Sequence, residues 1–172
     1  MRTARRLFVA LIAGSAFLAT FTTGPAAAAE VVAFNGDAPS GTIVVRTSER
    51  RLYLVLGQGR ALRYIVGVGR AGRQWAGISF IDGKYVSPNW SPPAAVRRAQ
   101  PNLPEVILSG STANPMGVAA MTLSGGAYAI HGTNRPDSIG GFVSYGCIRM
   151  LNRDIVSLFS RVRVGTPVVV VR

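Results

Sequence analysis

A single histidine and a single cysteine stand sixteen residues apart, in the stretches His131-Gly132-Thr133-Asn134 and Ser144-Tyr145-Gly146-Cys147-Ile148-Arg149-Met150. A thiol with an imidazole beside it is a minimal pair for nucleophilic acyl chemistry, in which the ring takes the proton and the sulfur attacks a carbonyl. No other residues of this chain supply that pair. An unperturbed thiol is mostly protonated at neutral pH, so Cys147 as nucleophile needs His131 as general base and gains from the positive charge of Arg149. Gly146 lets the backbone approach a substrate carbonyl, which makes the N–H groups of Gly146 and Cys147 candidates for an oxyanion site. Arg149 has the fork geometry to hold a carboxylate, against which stands an ion pair with Asp137 or Asp154. One His, one Cys and seven scattered carboxylates do not furnish a usual zinc set, so neither a metal nor another cofactor is expected.

The beginning of the chain reads as an export signal. Arg2, Arg5 and Arg6 precede an apolar run from Leu7 to Phe21, followed by Gly24-Pro25 and the alanines Ala26 to Ala29. This is the pattern of a cleaved secretory segment over residues 1–29, too short to span a bilayer comfortably, and it predicts an exported protein of the periplasm or cell envelope with no transmembrane span once processed. Residues 30–41 read as a short linker. A lone cysteine in an exported protein cannot form an intramolecular disulfide, and a free thiol there is a liability unless its reactivity is used. The net charge of +12 falls to about +9 without the leader, and all the basic residues except Lys84 are arginine. Outside the membrane nucleic acid is not an expected partner, which leaves anionic lipid heads and the carboxylate-rich cell wall.

The elements that must position the pair come from hydrophobic patterning. Thr42–Thr47, Arg51–Leu56 and Ala61–Gly67 are β-branched and aromatic-rich, and Gly57-Gln58-Gly59-Arg60 reads as a hairpin turn, giving an antiparallel meander. The stretch from Gly69 to Gly126 reads as loops covering a site, with a short helix opened by Pro92-Pro93 and running to Ala99. Ala127–His131 reads as a strand that delivers His131 at its end. A helix starts at Asn152 as N-cap, with Ile155, Leu158, Phe159 and Val162 at helical spacing. Pro167–Val171 is apolar on both faces, hence a central strand.

The string His131-Gly132-Thr133-Asn134, Ser138-Ile139-Gly140 and Ser144-Tyr145-Gly146-Cys147-Ile148-Arg149-Met150, continued by Asn152 and Asp154, resembles the signature of the L,D-transpeptidase catalytic domain, also called the YkuD domain. Leu52-Tyr53-Leu54-Val55, Pro88-Asn89-Trp90-Ser91-Pro92-Pro93 and Asn114-Pro115-Met116-Gly117 stand upstream in the order that family places them. The resemblance covers about residues 42–171 and implies a mostly β catalytic domain over 42–172, a sandwich or capped barrel with one or two short helices. It implies that Cys147 forms a thioester with a peptidoglycan stem tetrapeptide, with His131 as base and Gly132, Thr133, Tyr145 and Arg149 contacting substrate. The acceptor would be the amine of a second stem, giving 3-3 cross-links, an amine of an outer-membrane protein, a free D-amino acid, or water. Many members carry His where this chain has Tyr145, which either donates a hydrogen bond near the oxyanion or packs. Two rival readings stand beside this one: an L,D-carboxypeptidase or cysteine hydrolase using the same pair, and a basic cell-wall-binding module that has lost catalysis. Papain-like hydrolases place Cys before His, the reverse of the order here.

Overall fold

A computed structural model describes residues 29–126 and 128–172, so residues 1–28, all but the last residue of the segment read as an export signal, and Ala127 lie outside the described residues. The first half of the chain forms β1 (Glu30–Ala33), β2 (Ile43–Arg46), β3 (Arg51–Gly57), β4 (Arg60–Ile65), β5 (Val68–Gly69), β6 (Gly77–Val86) and the helix α1 (Ala94–Ala99). Then come β7 (Ala119–Leu123), β8 (Ala129–His131), β9 (Phe142–Ser144), β10 (Ile148–Arg149), the helix α2 (Asn152–Phe159) and β11 (Pro167–Val171). Nine strands make one sheet in the order β1-β4-β3-β2-β11-β6-β7-β8-β10, and β5 pairs with β9 in a small second one. The fold is mostly β, as expected from the strand-rich sequence. Among the described residues no helix is long and apolar enough to cross a membrane.

Alternation decides which side chains meet. Successive residues of a strand point to opposite faces, and the register Ile43↔Leu54 and Val45↔Leu52, continued by Leu54↔Leu62 and Leu52↔Tyr64, puts these residues on one buried face. Val44, Tyr53, Val55 and Ala61 share the other face, where they form a second, smaller core with Phe34. Phe34 arrives there because β1 pairs antiparallel with β4, and its ring lies 5.5 Å from that of Tyr53. Residues 30–41 are therefore not a linker throughout: an apolar outer face left open to water would be unfavourable, and β1 with Phe34 covers it. At the centre, as expected, β11 runs parallel to β2 and antiparallel to β6, with Val168 and Val170 of one face fully buried and Val169 of the other half-buried against the smaller core.

The region read as loops between Gly69 and Gly126 contains two strands of the main sheet, β6 and β7, and this corrects the sequence reading. Asp82-Gly83 resembles a turn but is an irregularity inside β6, where the register against β7 shifts between Ile81 and Gly83. A Cβ at Gly83 would run into the side chains of Tyr85 and Thr122. β6 thereby bends and joins both halves of the sheet. The strand β7 begins Ala119-Ala120, with little intrinsic strand preference to reveal it.

Helix α2 buries Ile155 and Leu158 against β7 and β8, and Val162 beyond its end joins the same core. Lys84 on β6 donates from Nζ to the carbonyls of Phe159 at 2.7 Å and Val162 at 2.6 Å. A cation on these terminal carbonyls satisfies acceptors that the helix leaves open.

Candidate active site

The parallel pairing of β8 with β10 sets Arg149 opposite His131 and Ile148 opposite Ile130. Register partners point the same way, and Ile130 and Ile148 are both buried in the core. By alternation, His131 on β8 and Arg149 on β10 face away from that core, and Cys147 stands immediately before β10. They open into a cleft of about 670 Å³ that His131, Cys147, Arg149, Tyr145, Arg73 and Arg135 help to line. Its cover comes from α1 and the segments around it, including Trp90, Val96, Ile107, Pro115 and Met116. Asn114 ties these segments together: its amide donates to the carbonyls of Pro88 at 2.9 Å and Leu108 at 3.2 Å, while its oxygen accepts from Met116 N–H at 2.9 Å.

His131 is almost completely buried, with Nδ1 2.7 Å from the Gly132 carbonyl. A carbonyl only accepts, so Nδ1 carries the hydrogen and Nε2 is the basic nitrogen of the neutral ring. Burial, and then the charge of Arg149, lower the His131 pKa to about 4, against backbone hydrogen bonds to Gly132 and Pro115. The ring is a neutral base at pH 7. Burial also pushes the Cys147 thiol up, opposed by the Ala129 backbone and by Arg149. The site therefore favours a neutral thiol and a neutral imidazole.

Arg149 is paired with neither Asp137 nor Asp154, which are bound 3.7 Å from Arg135 and 3.6 Å from Arg153. It donates from Nη1 to Ser138 Oγ at 3.0 Å, and its Nε is buried without a hydrogen-bond partner. Burial, followed by the neighbouring charge of Arg135, makes its own protonation less favourable. A half-buried guanidinium with a buried, open Nε–H donor, two residues from Cys147, is a ready place for an anion.

Gly146 differs from the expectation. Its N–H is donated to Ser144 Oγ at 3.0 Å, and that hydroxyl donates to the Cys147 carbonyl at 2.6 Å. The oxyanion role expected for the Gly146 N–H is thus corrected: that hydrogen holds the turn and is not open to a substrate. Glycine is required at 146 because φ is +126° and a Cβ would run into the Tyr128 ring. Gly132 and Thr133, expected from the resemblance to contact substrate, are buried and are not among the residues that line the cleft. They build the turn behind His131: Thr133 N–H donates to Asn152 Oδ1 at 2.9 Å, and Val118 N–H reaches the same oxygen at 3.4 Å. Asn152, read from sequence as a helix cap, makes no such cap; Leu151 occupies the cap position. Tyr145 does line the cleft, and its ring lies beneath the guanidinium groups of Arg70 at 4.1 Å and Arg73 at 5.8 Å. Arg73 and Trp75 carried no sequence signal, standing in a glycine-rich stretch with no periodicity, whereas Asn114 stood in a quoted string and Tyr128 in an expected strand without either having a role assigned.

Residues 40–170 match the family described as the L,D-transpeptidase catalytic domain, YkuD. Over 142 residues the chain is 39% identical to the probable L,D-transpeptidase YcfS of Escherichia coli K12, an alignment covering 77% of this chain and 44% of that protein. The chain thus spans less than half the length of this curated relative. An L,D-transpeptidase from Mycobacterium smegmatis shares the fold with a TM-score of 0.61 at 16% identity, covering 76% of this chain and 58% of the other. L,D-transpeptidase 3 from Mycobacterium tuberculosis, solved in complex with a faropenem-derived adduct, superposes with a TM-score of 0.57 at 16% identity, covering 76% and 60%.

Proposed function

The chain belongs to the L,D-transpeptidase catalytic domain family, and from that premise we propose that it transfers the acyl part of a peptidoglycan stem tetrapeptide through a thioester on Cys147. His131 Nε2 takes the thiol proton as sulfur attacks the carbonyl at the L-centre of the third stem residue. Charge developing on that oxygen is held by the Cys147 N–H. When the intermediate collapses, the bond to the fourth residue, D-alanine, breaks, and the proton held by His131 passes to the departing amine. An acceptor amine then attacks the thioester and regenerates the thiol. The acceptor is a second stem peptide, giving a 3-3 cross-link, or an amine of an outer-membrane protein. The work is done in the cell envelope after export directed by residues 1–29.

The observation that carries this reading is the juxtaposition of His131, Cys147 and an unpaired Arg149 on one face of two adjacent strands, in a cleft lined by three arginines and no acidic residue. Stem peptides bear several carboxylates, and this cleft is built for anions. Purified protein incubated with stem tetrapeptide is expected to gain the acyl mass on Cys147 with release of D-alanine, and to form amide product when an acceptor amine is added. Cys147→Ala should abolish both. Unchanged turnover in that variant sinks the mechanism, and hydrolysis as the sole outcome makes the protein a carboxypeptidase. Faropenem, whose adduct a fold relative carries, serves as a second acylating probe.

A further inference from the structure

We propose that Trp75 is a positioning residue for the oxyanion donor, acting through the peptide bond between Gly146 and Cys147. Its indole Nε1–H donates to the Gly146 carbonyl at 2.9 Å. The indole also stacks on Tyr128, with ring centroids 5.0 Å apart and planes only 8° from parallel. Tyr128 in turn occupies the space where any side chain at residue 146 would lie. Residue 146 is therefore held on three sides: the carbonyl by Trp75, the Cα by Tyr128, and the N–H by Ser144.

The consequence falls on the next residue. In a planar trans peptide the C=O of Gly146 and the N–H of Cys147 point in opposite directions and turn together. Anchoring the carbonyl on the indole thus fixes where the Cys147 N–H points. A hydrogen bond accepted at the oxygen also polarises the amide and strengthens its N–H as a donor. Among the described residues no acceptor takes the Cys147 N–H, so it is free for the charge that develops on a substrate carbonyl. Trp75 touches no reacting atom in this scheme; it sets the aim and strength of a donor that does.

The inference rests on acyl transfer at Cys147, and two reactions of the same sulfur separate it from simple packing. Acylation by faropenem passes through an oxyanion; alkylation by iodoacetamide, a displacement at a saturated carbon, does not. Both rates are measured on the full chain for the natural protein, for Trp75→Phe, which keeps a ring on Tyr128, and with 3-benzothienylalanine at position 75, which exchanges only the N–H for sulfur. Removing an oxyanion donor outright costs on the order of 100-fold or more, so losing only its anchor should slow acylation about tenfold. Alkylation and the affinity of the initial faropenem complex should stay within about twofold. Acylation at the natural rate in the benzothienyl protein, or an equal fall in acylation and alkylation, overturns the role. The benzothienyl protein decides the matter if Trp75→Phe does not fold. If the natural protein is alkylated but acylated by neither faropenem nor stem tetrapeptide, the acyl-transfer reading falls and takes this one with it.

Discussion

Burial and the Arg149 guanidinium act on His131 in the same direction, holding off the imidazolium until about pH 4. An unfolded histidine titrates near pH 6.5, so between these values the unfolded chain binds a proton that the folded one refuses. Stability contributed by neutral His131 is complete above pH 6.5 and is lost as pH falls towards 4, by about 3 kcal/mol over that window. Urea unfolding of His131→Gln should lack this loss between pH 7 and 4.5, and an unchanged pH dependence in that variant would remove His131 as its source. The same shift places the acidic limb of the acylation profile near pH 4. Arg149→Met should move that limb upward, because it deletes the second largest cause of the lowered pKa. A limb at 6.5 in the natural protein would count against His131 as the base. Acylation of His131→Gln is expected to fall by about 10²–10⁴-fold, since there is no second imidazole to take over.

Elements deliver these groups through connections that sequence periodicity does not show. The helix α2 was legible from Ile155 and Leu158 at helical spacing, and both are buried. What Asn152 does was not legible, because a polar residue at a helix start looks like a cap whatever its side chain later finds. In the fold it bonds the Thr133 N–H two residues beyond His131 and so couples the helix to the turn behind that histidine. Asn152→Ala leaves the buried Thr133 N–H without a partner, at a cost of about 1–3 kcal/mol in urea unfolding. Because the turn behind His131 loosens, acylation should slow as well, whereas Asn152→Asp, which retains the acceptor oxygen, should recover most of the rate. Equal acylation in Asn152→Ala and the natural protein would show that the turn holds its shape unaided. The strand β6 escaped sequence reading for a related reason: Asp82-Gly83 carries the composition of a turn, and only the β7 strand beside it makes the pair an irregularity within a continuous strand.

At the scale of the whole molecule the charge excess acquires a direction. Arg73, Arg135 and Arg149 line the cleft together with Cys147, and among the described residues no acidic side chain joins them. Attraction between partly exposed charges is screened by salt over about 8–10 Å at ordinary ionic strengths. KM for a tetrapeptide donor should therefore rise between 50 and 500 mM salt, values chosen to span about one decade of ionic strength, while kcat stays nearly constant. A donor whose carboxylates are amidated should show little of this dependence, and identical salt curves for the two donors would deny the arginines a part in binding. The sequence alone determined the chemistry available: one thiol, one imidazole, a glycine before the nucleophile, a family string around them, and a central apolar strand at the end. These are properties of residue type and near neighbours, and they survive being read in one dimension. Tertiary structure alone decided that Gly146 N–H is spent on Ser144, that Gly132 and Thr133 face inward, that Arg149 has no acidic partner, and that Trp75 reaches across 71 residues to the carbonyl before Cys147. The reason is register: which donor meets which acceptor depends on how distant strands and turns align, and that alignment is set by burial of both cores at once.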